Sequence, residues 1–457
     1  MSSTIKRNKY EIDMCNGTIM DKLISFSLPL MLSGILQLMF NAVDIIVIGR
    51  FSGSQSLAAV GSTTALINMF TNLFIGISLG ANVLSARFYA AGKDKEMSET
   101  VHTAITLALI SGIIMVFVGL IFAKPVLELM DTPDDVINLS TLYMRIYFMG
   151  MPFFMLYNYG ASILRAVGDT KRPLFYLIVA GIANAGLNMC LVIIFHLGVA
   201  GVAIGTVISQ LISSILVLRC LYRSETSYQL HFSKLKIQKE YLKQIFQVGI
   251  PAGIQSTVIN FSNVLLQSSV NSFGSIAMAG YTAANNIFGF LYVTVNAVTQ
   301  ACMSFTSQNY GVGKWKRMDR VLIDCLILSF AAMMILGNSA YFFGPKLLTI
   351  YTSNSKVIQC GMEILLYTTV TYFLCGFMDL FPGALRGMGR SGVPMILSII
   401  GTVGTRIVWI FWIFPNHRSL DILFISYPAS WIITIVLQVI CYYFVRKQLY
   451  AKMRAEA

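Results

Sequence analysis

Charge is what this chain has least of. Of its 457 residues only 12% are Asp, Glu, Lys or Arg, about half the share of a soluble globular protein. Histidine occurs four times, at His102, His196, His231 and His417, too scattered for an enzyme site built from clustered acids, thiols and imidazoles. No CxxC pair is present. The eight cysteines (Cys15, Cys190, Cys220, Cys302, Cys325, Cys360, Cys375, Cys441) lie mostly inside apolar runs, which favours small buried hydrophobes over metal ligands or disulfides. No cleavage signal follows the polar first 23 residues, and the apolar run from Ile24 is too long for a signal-peptide core; it is expected to remain as a first helix.

What is abundant is apolar surface: 56% hydrophobic residues and a mean hydropathy of +0.71. A water-soluble fold of this length has nowhere to hide it, which excludes cytosolic enzymes, secreted disulfide scaffolds and disordered chains. A spanning helix needs roughly 20 apolar residues. Runs of that kind near 24–48, 57–86, 101–123, 137–160, 174–197, 199–218, 245–270, 276–303, 321–344, 359–384, 395–415 and 422–445 predict an all-α integral membrane protein with 12 transmembrane helices. The expected organisation is a tail over 1–23, a six-helix lobe over 24–218, a linker over 219–244, a second six-helix lobe over 245–445 and a tail over 446–457.

The net charge of +13 would suggest nucleic acid in a soluble chain. Here 26 Lys and Arg fall in the tails and alternate loops, against five on the opposite face. Cytoplasmic loops collect basic residues, so both termini are expected in the cytoplasm, in a cell membrane, and no nucleic-acid partner is expected.

The two halves match at an offset of about 221 residues. Ala86-Arg-Phe-Tyr-Ala-Ala-Gly-Lys93 aligns with Ser307-Gln-Asn-Tyr-Gly-Val-Gly-Lys314, and Arg165-Ala-Val-Gly168 with Arg386-Gly-Met-Gly389. Pro29 and Pro251 open the first helix of each half at nearly the same offset. Six helices per repeat imply a pseudo-twofold axis along the membrane normal, a plan in which transporters rock one lobe against the other.

A carboxylate at mid-span costs roughly 2.5–3.5 kcal/mol on insertion scales and needs a reason to be there. Asp44 lies in the first span, about a turn from its outer end, with Gln37 and Asn41 on the same helical face. Lipid cannot satisfy these groups. Thr64, Asn68 and Asn72 form a stripe on the second span; Tyr143 and Asn158 lie on the fourth, Asn184 and Asn188 on the fifth, and Thr206 on the sixth. Amides and hydroxyls can hydrogen-bond a carboxyl group in either protonation state, though taken singly they also serve as interhelical glue. A carboxyl withdrawn from water holds its proton to higher pH, as a proton carrier near neutrality requires. Asn68, Asn72, Gln255, Asn263, Gln267 and Asp379 are candidates for lining a substrate cleft, and Arg145 and Arg406 are either internal counter-charges or outer-end anchors. The second lobe is expected to offer neutral hydrogen-bonders.

Several segments together resemble the multidrug and toxic compound extrusion (MATE) transporters. They are Asn41-Ala-Val-Asp44-Ile-Ile-Val-Ile-Gly-Arg50, Leu57-Ala-Ala-Val-Gly61, Ile163-Leu-Arg-Ala-Val-Gly-Asp-Thr-Lys-Arg-Pro173 and Gly198-Val-Ala-Gly-Val-Ala203, then Gln308-Asn-Tyr-Gly-Val-Gly-Lys314 and Ala384-Leu-Arg-Gly-Met-Gly389. No single motif is specific; their order and number are. The resemblance implies a monomeric antiporter, neither enzyme nor cofactor-dependent, that exports organic, often cationic compounds against inward H⁺ or Na⁺. Asp44 then matches the aspartate that carries the coupling ion, Gln37, Tyr143, Asn158, Asn188 and Thr206 its supporting network, and Pro29 a helix-bending proline. One departure bears on the ion: many members carry a second acid where this chain has Val192. With one acid a proton is favoured, Na⁺ at Asp44 being the alternative and no other metal being expected. A flippase of lipid-linked metabolites in the same superfamily is the rival reading, weakened by how few Lys and Arg fall within spans. The major-facilitator plan is further off, because the loop Arg87-Phe-Tyr-Ala-Ala-Gly-Lys93 lacks its Gly-x-x-x-Asp pattern.

Overall fold

The computed structural model describes residues 8–130 and 132–456, so Lys6 and Arg7 of the basic tail lie outside the described residues. Among those described, helices are the only regular elements, the outcome expected where lipid offers no partner for backbone N–H and C=O groups. The chain divides into two compact units, one of Met1–Asp13 with Leu28–Gly253 and the other of Met14–Ser27 with Ile254–Ala457. The divisions fall inside the first helix of each half, next to Pro29 and Pro251, where proline removes a backbone donor and weakens the helical ladder.

The first unit holds most of α1 (Met20–Phe51), then α2 (Gly53–Ala90), α3 (Asp94–Leu129), α4 (Asp134–Met149), α5 (Met151–Ala166), α6 (Lys171–Met189) and α7 (Gly198–Tyr222). The second continues α8 (Lys239–Asn271) with α9 (Ser275–Gly311), α10 (Trp315–Phe342), α11 (Gly344–Thr349), α12 (Ser355–Thr369), α13 (Tyr372–Gly387), α14 (Gly392–Ser398), α15 (Thr405–Val408) and α16 (Leu420–Glu456).

Nine helical spans among the described residues are long and apolar enough to cross a bilayer, and α12 with α13, bent by 44°, would make a tenth. The remaining two expected runs are helical without meeting that measure. One is α8, diluted by Ser, Asn and Gln along its second half. The other, expected as one helix over 137–160, is two: α4 and α5 break at Gly150, ahead of Pro152 in the first turn of α5. A Cβ on Gly150 would lie 2.7 Å from Val207 of α7, so the break also permits a close helix approach.

The repeat is carried by the backbone itself. Gly53, Gly92 and Gly168 have φ of 84°, 65° and 98°, and Gly274, Gly313 and Gly389, each 221 residues on, have 91°, 70° and 80°. The bonds match as well. After α2 the amides of Gly92 and Lys93 donate to Tyr89 and Phe88; after α9 those of Gly313 and Lys314 donate to Tyr310 and Asn309. These are helix ends of the left-handed glycine type, where any other residue is strained. A π-helical turn at Cys190–Ile194 likewise has a counterpart at Trp409–Ile413.

Candidate functional site

Within the first unit, the last turns of α1 meet the ends of α6 and α7. Asn188 Nδ2 donates to Asp44 Oδ1 at 2.5 Å and to Asn184 Oδ1 at 3.3 Å. Asn184 Nδ2 donates to Thr206 Oγ1 at 3.4 Å, and Thr206 stands close enough to the Asp44 carboxyl to act on it. The four side chains thus stand in a ring drawn from three helices, hydrogen-bonded along three of its sides. Asn188 is fully buried and Asn184 is nearly so; Asp44 is half-buried. Among the described residues no Lys or Arg pairs with the carboxyl. Asn188 Oδ1 is buried without a hydrogen-bond partner.

Local sequence explains the fit. Gly205 faces Asn188 so closely that a Cβ there would collide with Oδ1, and Gly181 faces the Phe40 ring in the same way. The two glycines let α7 and α1 approach α6, an arrangement typical of membrane helix pairs. The π turn begins just after Asn188, and such insertions are frequent at functional sites.

The structure gathers some of the expected residues and not others. Tyr143 is buried close to Asp44, with Tyr147 beside it at 6.0 Å between ring centroids. Tyr147 and the nearby Gln210 were not anticipated, although each lies four residues beyond an anticipated one (Tyr143, Thr206). Gln37 and Asn41 are exposed and join no side chain of the ring. Asn158 donates to Phe154 O of its own helix at 2.8 Å, outside the ring. Asn68 is exposed and Asn72 half-buried.

The second unit differs from expectation more sharply. Gln255, a cleft candidate, is buried and accepts from Arg386 Nη2 at 2.7 Å. Arg386 itself, expected in a loop, is in the last turn of α13, near enough to Asp379 for their charges to interact. Asn263 accepts from Arg406 Nη1 at 2.8 Å, with Ser262 at 3.3 Å and, from Nε, Ser430 at 3.4 Å. The Arg406 guanidinium stands 4.7 Å from the Tyr427 ring centre and is buried, whereas Arg145 is exposed. Gln267 donates to Asn271 on its own helix at 2.9 Å. This lobe therefore does not offer only neutral groups. Its amides and hydroxyls hold two arginines.

Three kinds of comparison bear on this arrangement. The MatE family model matches residues 29–190 and again 251–412, one match in each half. The chain is 30% identical over 434 residues to a probable multidrug resistance protein, YoeA, of Bacillus subtilis (strain 168), covering 93% of both chains. It is 23% identical over 380 residues to the multidrug export protein MepA of Staphylococcus aureus (strain NCTC 8325 / PS 47), covering 83% of this chain and 84% of that one. Among solved structures, an outward-facing MATE multidrug resistance transporter superposes with a TM-score of 0.89 at 20% identity, over 98% of this chain and all of the other.

Proposed function

The chain belongs to the MATE family of multidrug-efflux transporters, and on that premise we propose that it exports organic, cationic or amphipathic compounds in exchange for protons bound at Asp44. One observation carries the choice of ion: a single carboxyl, bonded by Asn188 with Thr206 close by, whose neighbours are neutral groups that can bond it in either protonation state. Val192, where the family resemblance implies a second acid in many members, is buried and adds no oxygen. The protein would act as a multi-pass monomer in the cell membrane with its termini in the cytoplasm.

In the proposed cycle the carboxyl takes a proton from outside, which changes how it can accept from Asn188. The end of α1 shifts and substrate leaves. The lobes then rock, the proton is released to the cytoplasm and new substrate enters. Pro29, whose carbonyl accepts from the Ser33 hydroxyl at 2.8 Å, marks where α1 can bend, since the ladder is already broken there. Asn68 and Asn72 belong, in this reading, to the path that substrate takes, and Gln37 and Asn41, exposed on the helix of Asp44, stand outside the ring.

A second reading has its own support. Asn188 Oδ1 is buried and unpartnered, and with Asp44 and Thr206 it offers the oxygen ligands that Na⁺ prefers. Proteoliposomes with separately imposed pH and Na⁺ gradients distinguish the two. Asp44→Asn tests both: it is expected to abolish gradient-driven efflux of cationic dyes while leaving helical content unchanged. Wild-type export by that variant would remove Asp44 from the mechanism.

A further inference from the structure

We propose that a cavity at the basic end of α6 and α7, remote from the Asp44 ring in sequence and in charge, is a binding site for a phosphate-bearing anion. The cavity encloses about 480 Å³ and three guanidinium groups line it, from Arg172, Arg219 and Arg223. Arg219 and Arg223 stand one turn apart, the first in the last turn of α7 and the second at its cap. Both are exposed. Among the described residues neither has an ion pair or a side-chain hydrogen bond, and Glu225 is the one carboxylate in the lining.

Arg172 is fixed in place. It is salt-bridged to the buried Asp169, donates to the Tyr228 hydroxyl at 3.4 Å and lies 5.4 Å from the centre of the Tyr10 ring. Tyr228 in turn donates to Glu11 at 2.6 Å. A guanidinium held this way has already lost its rotamer freedom, so less is lost when it binds. Guanidinium forks match phosphate oxygens in pairs. Ser224 and Thr226, joined at 2.7 Å, supply hydroxyls beside the forks, and Leu216 with the Tyr176 ring gives an apolar wall. Phe175, Tyr222 and Phe232 are exposed nearby in the chain, as aromatics are at the level of lipid headgroups.

A positive loop by itself would not single out this site, because basic residues are common on that face. Four basic residues of the second unit give the contrast. Arg446 pairs with Asp319 at 2.9 Å, Arg320 with Asp324 at 3.0 Å, and Arg317 and Lys314 donate to the carbonyls of Met14, Cys15, Asn16 and Gly17. Those cations are used internally. Arg219 and Arg223 face a cavity instead.

The phosphate can come from an anionic phospholipid headgroup or from a soluble phosphate, and one experiment separates them. The purified full-length protein is loaded in detergent with phosphatidylglycerol or with phosphatidylcholine, and retained lipid is counted by native mass spectrometry, with and without inorganic phosphate. Retention of phosphatidylglycerol alone is expected, falling by about thirtyfold in Arg219→Gln/Arg223→Gln, given roughly 1 kcal/mol for each of the two basic residues at a membrane surface. Lys316→Gln/Arg390→Gln, which removes two exposed charges elsewhere, should leave it unchanged. Arg219→Lys/Arg223→Lys should fall between, since charge remains and the forks do not. Thermal stabilisation of wild type by inorganic phosphate, lost in Arg219→Gln/Arg223→Gln and without lipid retention, assigns the site to a soluble phosphate. Equal retention in wild type and Arg219→Gln/Arg223→Gln, at unchanged melting temperature, overturns the proposal; so does an equal loss in the Lys316/Arg390 variant.

Discussion

The two units place opposite charges in matching corners. In the first, α1, α6 and α7 hold a carboxyl that accepts from an amide, with a hydroxyl beside it. In the second, α8, α15 and α16 hold a guanidinium that donates to an amide and two hydroxyls. The repeat makes the correspondence explicit. Counting 222 residues on, Asn41 becomes Asn263 and Asp44 becomes Leu266; counting 221, Thr206 becomes Tyr427. Two copies of one fold have kept their glycine turns at a constant offset while reversing the sign of the group each corner presents. The turns are constrained by backbone geometry, which admits one residue type. The corner is constrained only to satisfy whatever polar group it carries, so it is free to diverge in chemistry.

The comparison breaks most visibly if each charge is replaced by leucine. Asp44→Leu is expected to abolish gradient-driven efflux with little change in melting temperature, because it removes a desolvated carboxyl that has no counter-charge and leaves Asn188 Nδ2 its second acceptor, Asn184 Oδ1. Arg406→Leu is expected to do the reverse. It strands the acceptors on Ser262 and Asn263, and each buried orphan costs about 1–3 kcal/mol. Melting should fall clearly while efflux per folded molecule falls less. If Arg406→Leu instead kept its stability and lost efflux, the guanidinium would be a working group and the two corners functional equals.

The next effect is smaller and tests the geometry of the first corner alone. Gly205→Ala puts a methyl against Asn188 Oδ1. Relief requires either a shift of α7 or rotation of the amide away from Asp44, at about 1–3 kcal/mol for overpacking. The expected result is a several-fold loss of efflux and a changed pH profile, since the carboxyl loses its nearest donor. Gly186→Ala, with nothing within 4 Å of the added Cβ, should behave as wild type. A Gly205→Ala protein with an unaltered pH profile would mean that the amide does not govern the acid.

Much of this was legible in the sequence, for physical reasons that also mark where it was not. Asp44 stood out because a mid-span acid is costly, and Asn188 and Thr206 because nothing in lipid can satisfy them. The glycine turns were visible as Gly92-Lys93 and Gly313-Lys314 in one register. Gln37 and Asn41 share a helical face with Asp44, yet both are exposed, because periodicity fixes an angle around the helix and not which neighbour stands at each height. Asn158 and Gln267 have partners on their own helices, an option open to any amide one turn from a free acceptor. The division of one expected span into α4 and α5 was signalled by Gly150 and Pro152 but masked by apolar residues on both sides. Gln255 and Asn263 read as cleft residues because their arginine partners lie more than 130 positions away, a pairing that no local pattern carries.

The smallest effect belongs to the basic ends of the units, where the comparison is one of compensation rather than sign. Arg446 is 48% exposed and its partner Asp319 20%, and the Tyr442 and Tyr450 hydroxyls also donate to that carboxylate at 3.0 and 2.9 Å. Screening by water and the two remaining donors leave little for the ion pair to add. Arg446→Gln is therefore expected to cost about 0–1 kcal/mol, less at high salt, read as a small drop in melting temperature with efflux unchanged. The first unit's Asp169 is fully buried beside its arginine, and burial pushes its carboxyl above the usual range against the pull of Arg172. A drop for Arg446→Gln as large as that expected on stranding a buried carboxylate would show that exposed and buried pairs count equally here, and that the contrast between the two basic ends is one of position only.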